Sequence, residues 1–383
     1  MHRFLALFLI VLVSGAPSGA AAADVPNEIT PASEAALERG LAWLAKNQGA
    51  DGNWGSSDLG LVSMGALAFM AAGHEPGRGK YGRELERALE FIVSRARPSG
   101  LLNIADAQRD MYNHGLSTFV LGQAHGMTLG KDRKLNRVLD QALKLIASTQ
   151  CGDGGWDYRA ARQNDGHDLS LAVMQAKALR SAVDSGFDVS PEVIQLAIRS
   201  VREYYITRGG RGLPETEQQK MPGQFTYSKG GGGGTIAMAA AGVVCLQEFG
   251  QYEDWRIAKN MDVIEAAIRE TPHSRSHDGS MPFDAYTLYY VGQALYQVGG
   301  EAWNKNYPVM RDYLVESQVE SATNPRTSGA WLDYGARGGG RIAGDDGMLY
   351  ATSVACFVLA IPNRYLPILQ EGKIESFRKA GSE

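Results

Sequence analysis

The chain has 383 residues, 44% of them hydrophobic and 21% charged, with a formal net charge of −4. This is an ordinary globular balance, and it carries no basic footprint for nucleic acid or an anionic membrane surface. Its three cysteines, Cys151, Cys245 and Cys356, are too few for a disulfide scaffold; the last two lie in apolar stretches and read as small core residues.

The N-terminus reads as a secretory signal. Arg3 supplies a positive n-region, Phe4 to Val13 is a run of ten apolar residues, and Ala21-Ala22-Ala23 offers a small-residue cleavage site before Asp24. Ten apolar residues are about half of the roughly 20 needed to cross a bilayer. The expectation is a signal peptide over 1–23, a linker over 24–32, and export to the periplasm or the medium. A retained N-terminal anchor is the alternative. No later stretch reads as a membrane span.

From Ser33 onward, two kinds of helical stretch alternate. The first kind is amphipathic and charged: Ser33 to Asn47, Arg83 to Ser94, Lys134 to Ser148, Ser190 to Tyr205, Met261 to Glu270 and Tyr307 to Ser317. In Lys134 to Ser148 the apolar residues Leu135, Val138, Leu139, Ala142, Leu145 and Ile146 fall at helical spacing, with Arg137, Asp140, Gln141 and Lys144 opposite. The second kind is nearly uncharged and apolar all round, as in Leu61 to Ala72, Thr235 to Gln247, Tyr286 to Val298 and Tyr350 to Ile361. Such a helix is buried on every face.

Between the two kinds lies a short signature, glycine followed two positions later by a large apolar residue. It occurs at Gly52-x-Trp54, Gly100-x-Leu102, Gly154-x-Trp156, Gly223-x-Phe225, Gly279-x-Met281 and Gly329-x-Trp331. Gln48 and Gln150 precede two of these at the same distance, and Gln318 precedes Trp331 with a longer insertion. Recurrence at intervals of 48 to 69 residues marks a repeat of one supersecondary unit. Each unit is then an outer amphipathic helix, a glycine turn and an inner buried helix. An open solenoid would need polar capping repeats, and the apolar first and last inner stretches favour closure. The fold expected is all-α: a six-hairpin α/α toroid over 33–368, followed by a polar tail over 369–383.

Gln-x-x-x-Gly-x-Trp, carried here by Gln48 to Trp54 and Gln150 to Trp156, resembles the repeat signature of squalene and hopene cyclases. Protein prenyltransferase β-subunits share it more loosely. The stretch Cys151 to Ala182, the run Tyr289-Tyr290-x-x-Gln293-Ala294-Leu295-Tyr296-Gln297 and the run Tyr350-Ala351-Thr352-Ser353 resemble units of exported bacterial members of the terpene cyclase and prenyltransferase superfamily. The resemblance implies that Trp54, Trp156, Trp331 and Phe225 pack between units. It implies a fold, and fold alone does not fix activity.

Hopene-type cyclases protonate an alkene with the middle Asp of Asp-x-Asp-Asp. The nearest match here is Asp165-Gly166-His167-Asp168, with His167 at that position. Histidinium is a far weaker acid than a carboxylic acid, so protonation-initiated cyclisation is not expected, and Asp168 reads as a helix N-cap. Asp165, His167 and Asp168 stay as the catalytic candidates. The Asp-x-Cys of the prenyltransferase zinc site does not occur, and the Glu-Gln of a thioester motif is missing after Cys151. His273 and His277 fall in a loop-like stretch, and spacing alone is thin support for a metal. Lys229 precedes the run Gly230 to Gly234, where a phosphate loop would have it follow. No metal or cofactor is expected.

Parallel inner helices would set their N-termini around one mouth. Residues placed there are Asp58, Asp110, His114, Asp165, His167, Asp168, Asp284, Asp345 and Asp346, with the aromatics Phe119, Tyr286, Tyr289 and Tyr350 as further lining. Their carboxylates complement helix dipoles; paired, they could also serve sugar hydrolysis or lysis. The leading expectation is an exported protein that binds an apolar or polymeric ligand, an isoprenoid among the options, in a central cavity. A divergent terpene cyclase, or more remotely a carbohydrate-active enzyme, is the alternative.

Overall fold

The computed structural model describes residues 28–128, 132–210, 212–270, 283–321, 323–332, 342 and 344–370. In chain order the helices are α1 (Pro31–Asn47), α2 (Leu59–Ala71), α3 (Gly82–Ser94), α4 (Asp110–Thr128), α5 (Arg133–Thr149), α6 (Leu169–Asp184), α7 (Pro191–Glu203), α8 (Glu215–Gln218), α9 (Ile236–Glu248), α10 (Trp255–Glu270), α11 (Ala285–Val298), α12 (Gly300–Ser317) and α13 (Gly344–Ala360). A two-stranded antiparallel ribbon, β1 (Tyr205–Thr207) and β2 (Gly223–Phe225), interrupts them.

Local chemistry explains where the helices start. Thr30 and Ser33 form a reciprocal capping box at α1, with Pro31 at the first helical position. Asp58, Asp132, Asp168, Thr235 and Asp284 each accept a backbone N–H as the N-caps of α2, α5, α6, α9 and α11. Along α5 the buried residues are Leu135, Val138, Leu139, Ala142, Leu143, Ile146 and Thr149, one face of the helix. In α2 every residue is buried.

The apolar helices form the inner layer. Helix α2 packs on α4, α4 on α6, α6 on α9, α9 on α11, α11 on α13, and α13 returns to α2. This is a closed ring of six, with α1, α3, α5, α7, α10 and α12 outside it, so the molecule is an all-α, six-hairpin toroid. Beyond α13 the chain makes two short 3-10 turns, Ile361–Asn363 and Pro367–Leu369. The second lies against α4 and α6, and the Ile368 N–H donates to Gln123 Oε1 at 3.1 Å.

The glycine turns join neighbouring units in one repeated geometry. Gln48 Nε2 donates to the Gly52 carbonyl and to the Glu84 carbonyl of α3 at 3.1 and 2.9 Å. Gln150 does the same to Gly154 and to Val193 of α7 at 3.0 and 2.9 Å. Gln318 reaches Gly329 and Ala36 of α1 at 2.9 and 2.8 Å, which ties the last unit to the first. The indole N–H groups of Trp54, Trp156 and Trp331 donate to Leu44, Ile146 and Leu314, late in the outer helix of their own unit, at 2.8, 2.9 and 2.8 Å. Gly154 sits at φ +87°, and a Cβ there would stand 2.2 Å from the Leu196 carbonyl oxygen. Glycine therefore serves both the left-handed turn and the close approach to the next outer helix.

The structure departs from the sequence reading in three places. Helix α7 stops at Glu203, and the expected turn of the fourth unit is the β ribbon with an excursion between its strands. Phe225 is fully buried there, and its N–H is accepted by Asn260 Oδ1 of α10 at 3.0 Å, with no glutamine involved. Helix α10 begins six residues before Met261. Helix α12 begins at Gly300 and carries Pro308 inside it; a proline reads as a helix boundary, and packing in the outer ring overrides it.

Candidate functional site

Four inner helices, α2, α4, α6 and α11, bring their first turns together at one end of the ring. Asp58 Oδ1 caps α2 by accepting from Gly60 N at 2.9 Å, and its Oδ2 accepts from Arg109 Nε and Nη2 at 3.0 and 2.8 Å. The Arg109 guanidinium stands 5.1 Å from the centre of the Tyr112 ring, at the start of α4. Asp284 caps α11 through Thr287 N at 2.7 Å. Asp168 is fully buried. Its Oδ1 accepts from Leu171 N at 3.1 Å and from the Ser170 hydroxyl, and its Oδ2 lies 3.1 Å from His167 Nδ1. The hydroxyls of Tyr158 and Tyr227, themselves hydrogen-bonded to each other, stand against the same carboxylate.

A tyrosine cluster fills the space inside these caps. Tyr286 and Tyr290 meet edge to face with centroids 4.9 Å apart, and Tyr289 meets Tyr290 at 5.1 Å. Tyr112 and Tyr350 lie close enough to these rings to share their electrostatic field. Burial pushes the Tyr112 phenol up to about 12 and raises Tyr286, Tyr289, Tyr290 and Tyr350 well above the ordinary tyrosine value. All five therefore present neutral rings at physiological pH. Tyr112 and Tyr286 keep accessible surface, whereas Tyr289 and Tyr290 are buried.

Below this mouth the axis of the ring is filled. Lys177 of α6 has no accessible surface. Its Nζ lies 3.2 Å from Glu248 Oε1 of α9, donates to Gln293 Oε1 of α11, and stands 4.6 Å from the Phe119 ring of α4 and 5.8 Å from the Tyr289 ring. Helices α4 and α11 lie on opposite sides of the ring, so this side chain crosses the axis. Phe119, Tyr289 and Phe357 complete the layer, each at most 1% exposed. At this level the expected central cavity is thus replaced by a packed core: residues lining an open pocket would keep accessible surface.

The sequence-derived candidates divide accordingly. Asp168, Tyr286 and Tyr350 belong to the mouth, and Tyr289 joins the mouth to the plug. Asp165 is exposed, and half of the His167 side chain faces solvent. Asp110 is engaged elsewhere: its carboxylate accepts from Asn103 Nδ2 at 2.8 Å and from Ala160 N at 3.3 Å. His114 is a packing residue, not a lining one. Its Nδ1 accepts from Leu102 N and its Nε2 faces the Ala142 carbonyl of α5, both at 3.1 Å. It joins the second turn to the next outer helix, as the glutamines do elsewhere, and burial pushes it down to about 4. Asp345 pairs with Arg326 on the surface, and Asp346 is partly exposed in the first turn of α13. His273, His277, Gly279, Met281 and the run Gly338 to Gly340 lie outside the described residues.

Sequence reading passed over Arg109, Tyr112, Lys177 and Glu248, and took Tyr290 only as part of a family-like run. The signal for Lys177 was present: it is a charge inside an inner stretch that is otherwise almost uncharged, and buried lysine is rare unless paired.

No family model matches the chain. A segment of 114 residues, 30% of the chain, is 28% identical to drimenyl diphosphate synthase of Streptomyces showdoensis, and this match spans 20% of that relative's length. Among solved structures, a type II terpene cyclase from Scytonema, in complex with geranylgeranyl dihydroxybenzoate, aligns over 86% of this chain and 97% of its own. The TM-score is 0.50 at 16% sequence identity. The likeness is one of fold.

Proposed function

Taking the terpene-cyclase-like fold as the frame, we propose that this chain is a binding protein that holds an apolar or polymeric ligand at the tyrosine-lined mouth of its inner ring, without protonation-initiated cyclisation. The observation that carries this reading is Lys177 lying across the axis: a long isoprenoid has no room to fold beneath the mouth. Two further observations support it. The position of the protonating acid is His167, half exposed to solvent, and Asp168 is occupied as the N-cap of α6. Export by the N-terminal segment is part of the same proposal.

The test begins with the chain from Asp24 onward incubated with squalene and, separately, with a prenyl diphosphate. No cyclic product is expected above a heat-killed control, and product from either substrate would overturn the reading. A thermal-shift panel of isoprenoids, oligosaccharides and peptides then identifies the ligand class. Saturation at 100 times Kd stabilises a fold by about 2.7 kcal/mol.

A divergent cyclase is the second reading. It is favoured by the burial of Asp168 among Ser170, Tyr158 and Tyr227, an enclosed carboxyl beside neutral aromatic rings. Product loss on Asp168→Asn with the fold intact would support it.

A further inference from the structure

Resting on the reading that the mouth is the ligand site, we propose that it takes a compact organic ammonium group, the cationic end of an otherwise apolar ligand or of a polymer side chain. Tyr112, Tyr286, Tyr290 and Tyr350 come from three inner helices and converge at this one place. Aromatic faces carry negative potential and attract ammonium groups most strongly where water is excluded. These rings stay uncharged phenols, so the attraction is that of the π face and is not lost by titration.

The mouth already holds one cation in such a contact. The Arg109 guanidinium lies over Tyr112 at 5.1 Å while both its Nε and Nη2 donate to Asp58. Asp58, Asp168 and Asp284 surround the tyrosines with carboxylates, and among the described residues of the mouth Arg109 is the permanent cation, held by Asp58. Among the described residues, an anionic head would face those carboxylates with the Arg109 charge already engaged by Asp58. Behind the exposed rings Tyr290 is fully buried, its hydroxyl engaged with those of Tyr112 and Tyr286. Depth sets the size of the group: Tyr112 and Tyr286 are reachable, and Tyr289 and Lys177 beneath them are not. The mouth therefore suits a compact head better than the end of a long chain.

The experiment is calorimetric titration of the full chain with choline, with dimethylbutanol as its uncharged isostere, and with a short prenyl phosphate. Choline is expected to bind ~10-fold more tightly than dimethylbutanol, the discrimination a desolvated cation–π site supplies. Tyr286→Leu and Tyr350→Leu should each weaken choline by ~10-fold, while Tyr286→Phe and Tyr350→Phe, which keep the ring, should hold it within about threefold. Circular-dichroism melting checks that each variant is folded; if a leucine variant is not, choline-induced shifts in the tyrosine ring resonances of the parent chain place the site instead. Equal affinity for choline and dimethylbutanol overturns the ammonium inference and leaves the mouth as an apolar site. Tighter binding of the prenyl phosphate overturns it in favour of an anionic ligand. Choline binding that survives both leucine substitutions puts the cation elsewhere and overturns it as well. Absence of choline binding alongside a thermal shift with any isoprenoid, oligosaccharide or peptide sinks the inference alone; absence of choline binding and of every such shift sinks the proposed function with it.

Discussion

Gln150 and His114 solve one problem with different chemistry. Each turn leaves backbone groups facing the next outer helix, and a buried backbone group without a partner costs free energy comparable to a lost hydrogen bond. Gln150 spends both protons of its amide nitrogen on two carbonyls; His114 accepts at one ring nitrogen and faces a carbonyl with the other. Gln150→Leu should therefore cost about 2–3 kcal/mol, since two carbonyls lose their donor, read as a lower denaturant midpoint with an unchanged slope. His114 makes stability depend on pH. Burial lowers its pKa from 6.5 to about 4, so the folded state favours the neutral ring. As pH falls below about 6.5 the unfolded chain takes up the proton first, and stability declines until about pH 4. The loss is on the order of 3 kcal/mol. Melting curves between pH 7 and pH 4.5 should show it, and His114→Gln should flatten that part of the profile.

At the scale of the element, the turn glycines fix how hairpins stack. Gly154 needs a left-handed backbone and leaves no room for a Cβ beside Leu196, so Gly154→Ala should destabilise by at least ~2 kcal/mol through strain and displacement of α7. Gly186 also has positive φ, at +82°, but a Cβ there would meet nothing within 4 Å. Gly186→Ala should cost only ~1 kcal/mol, the strain without the clash. Comparing the two by chemical denaturation separates conformation from contact. The fourth unit shows where pattern reading stops. Gly223 and Phe225 carry the right residues at the right spacing, but the segment pairs with Tyr205 to Thr207 as a ribbon. Register against a strand 18 residues away is a tertiary choice that local spacing does not encode.

For the whole molecule, the notable feature is a charge pair on the axis of an apolar ring. Removing one partner of a buried pair leaves an uncompensated charge and costs about 3–5 kcal/mol, while replacing both with apolar groups is often neutral. Lys177→Met should thus unfold at markedly lower temperature, and Lys177→Met combined with Glu248→Leu should recover most of the loss. A double variant no more stable than the single would show that the pair does not act as a unit. Closure adds a second whole-molecule dependence: Gln318 and Trp331 tie the last unit to α1, across nearly the full sequence.

Much of this architecture is legible in the chain before folding. Two helical patterns, one striped and one apolar all round, identify outer and inner layers because burial follows hydrophobic periodicity within a single helix. The glycine signature locates turns, since a left-handed backbone limits the residue choice, and Asp168 reads correctly as a cap because capping is settled within three residues. The site was legible only in part. Tyr286 and Tyr350 stand out as aromatics at inner-helix starts, but whether a side chain on an apolar helix faces a neighbour, the mouth or the axis depends on residues far away in the chain. His114 looks like a ligand-facing residue and is a backbone bridge; Lys177 stands out as a charge in an apolar stretch, but only the closed ring makes it the plug. The sequence by itself determined the layers, the turns and the caps, which are governed by near neighbours. Tertiary structure alone decided which side chains share the axis and how deep the mouth is, because those contacts exist only once the ring has closed.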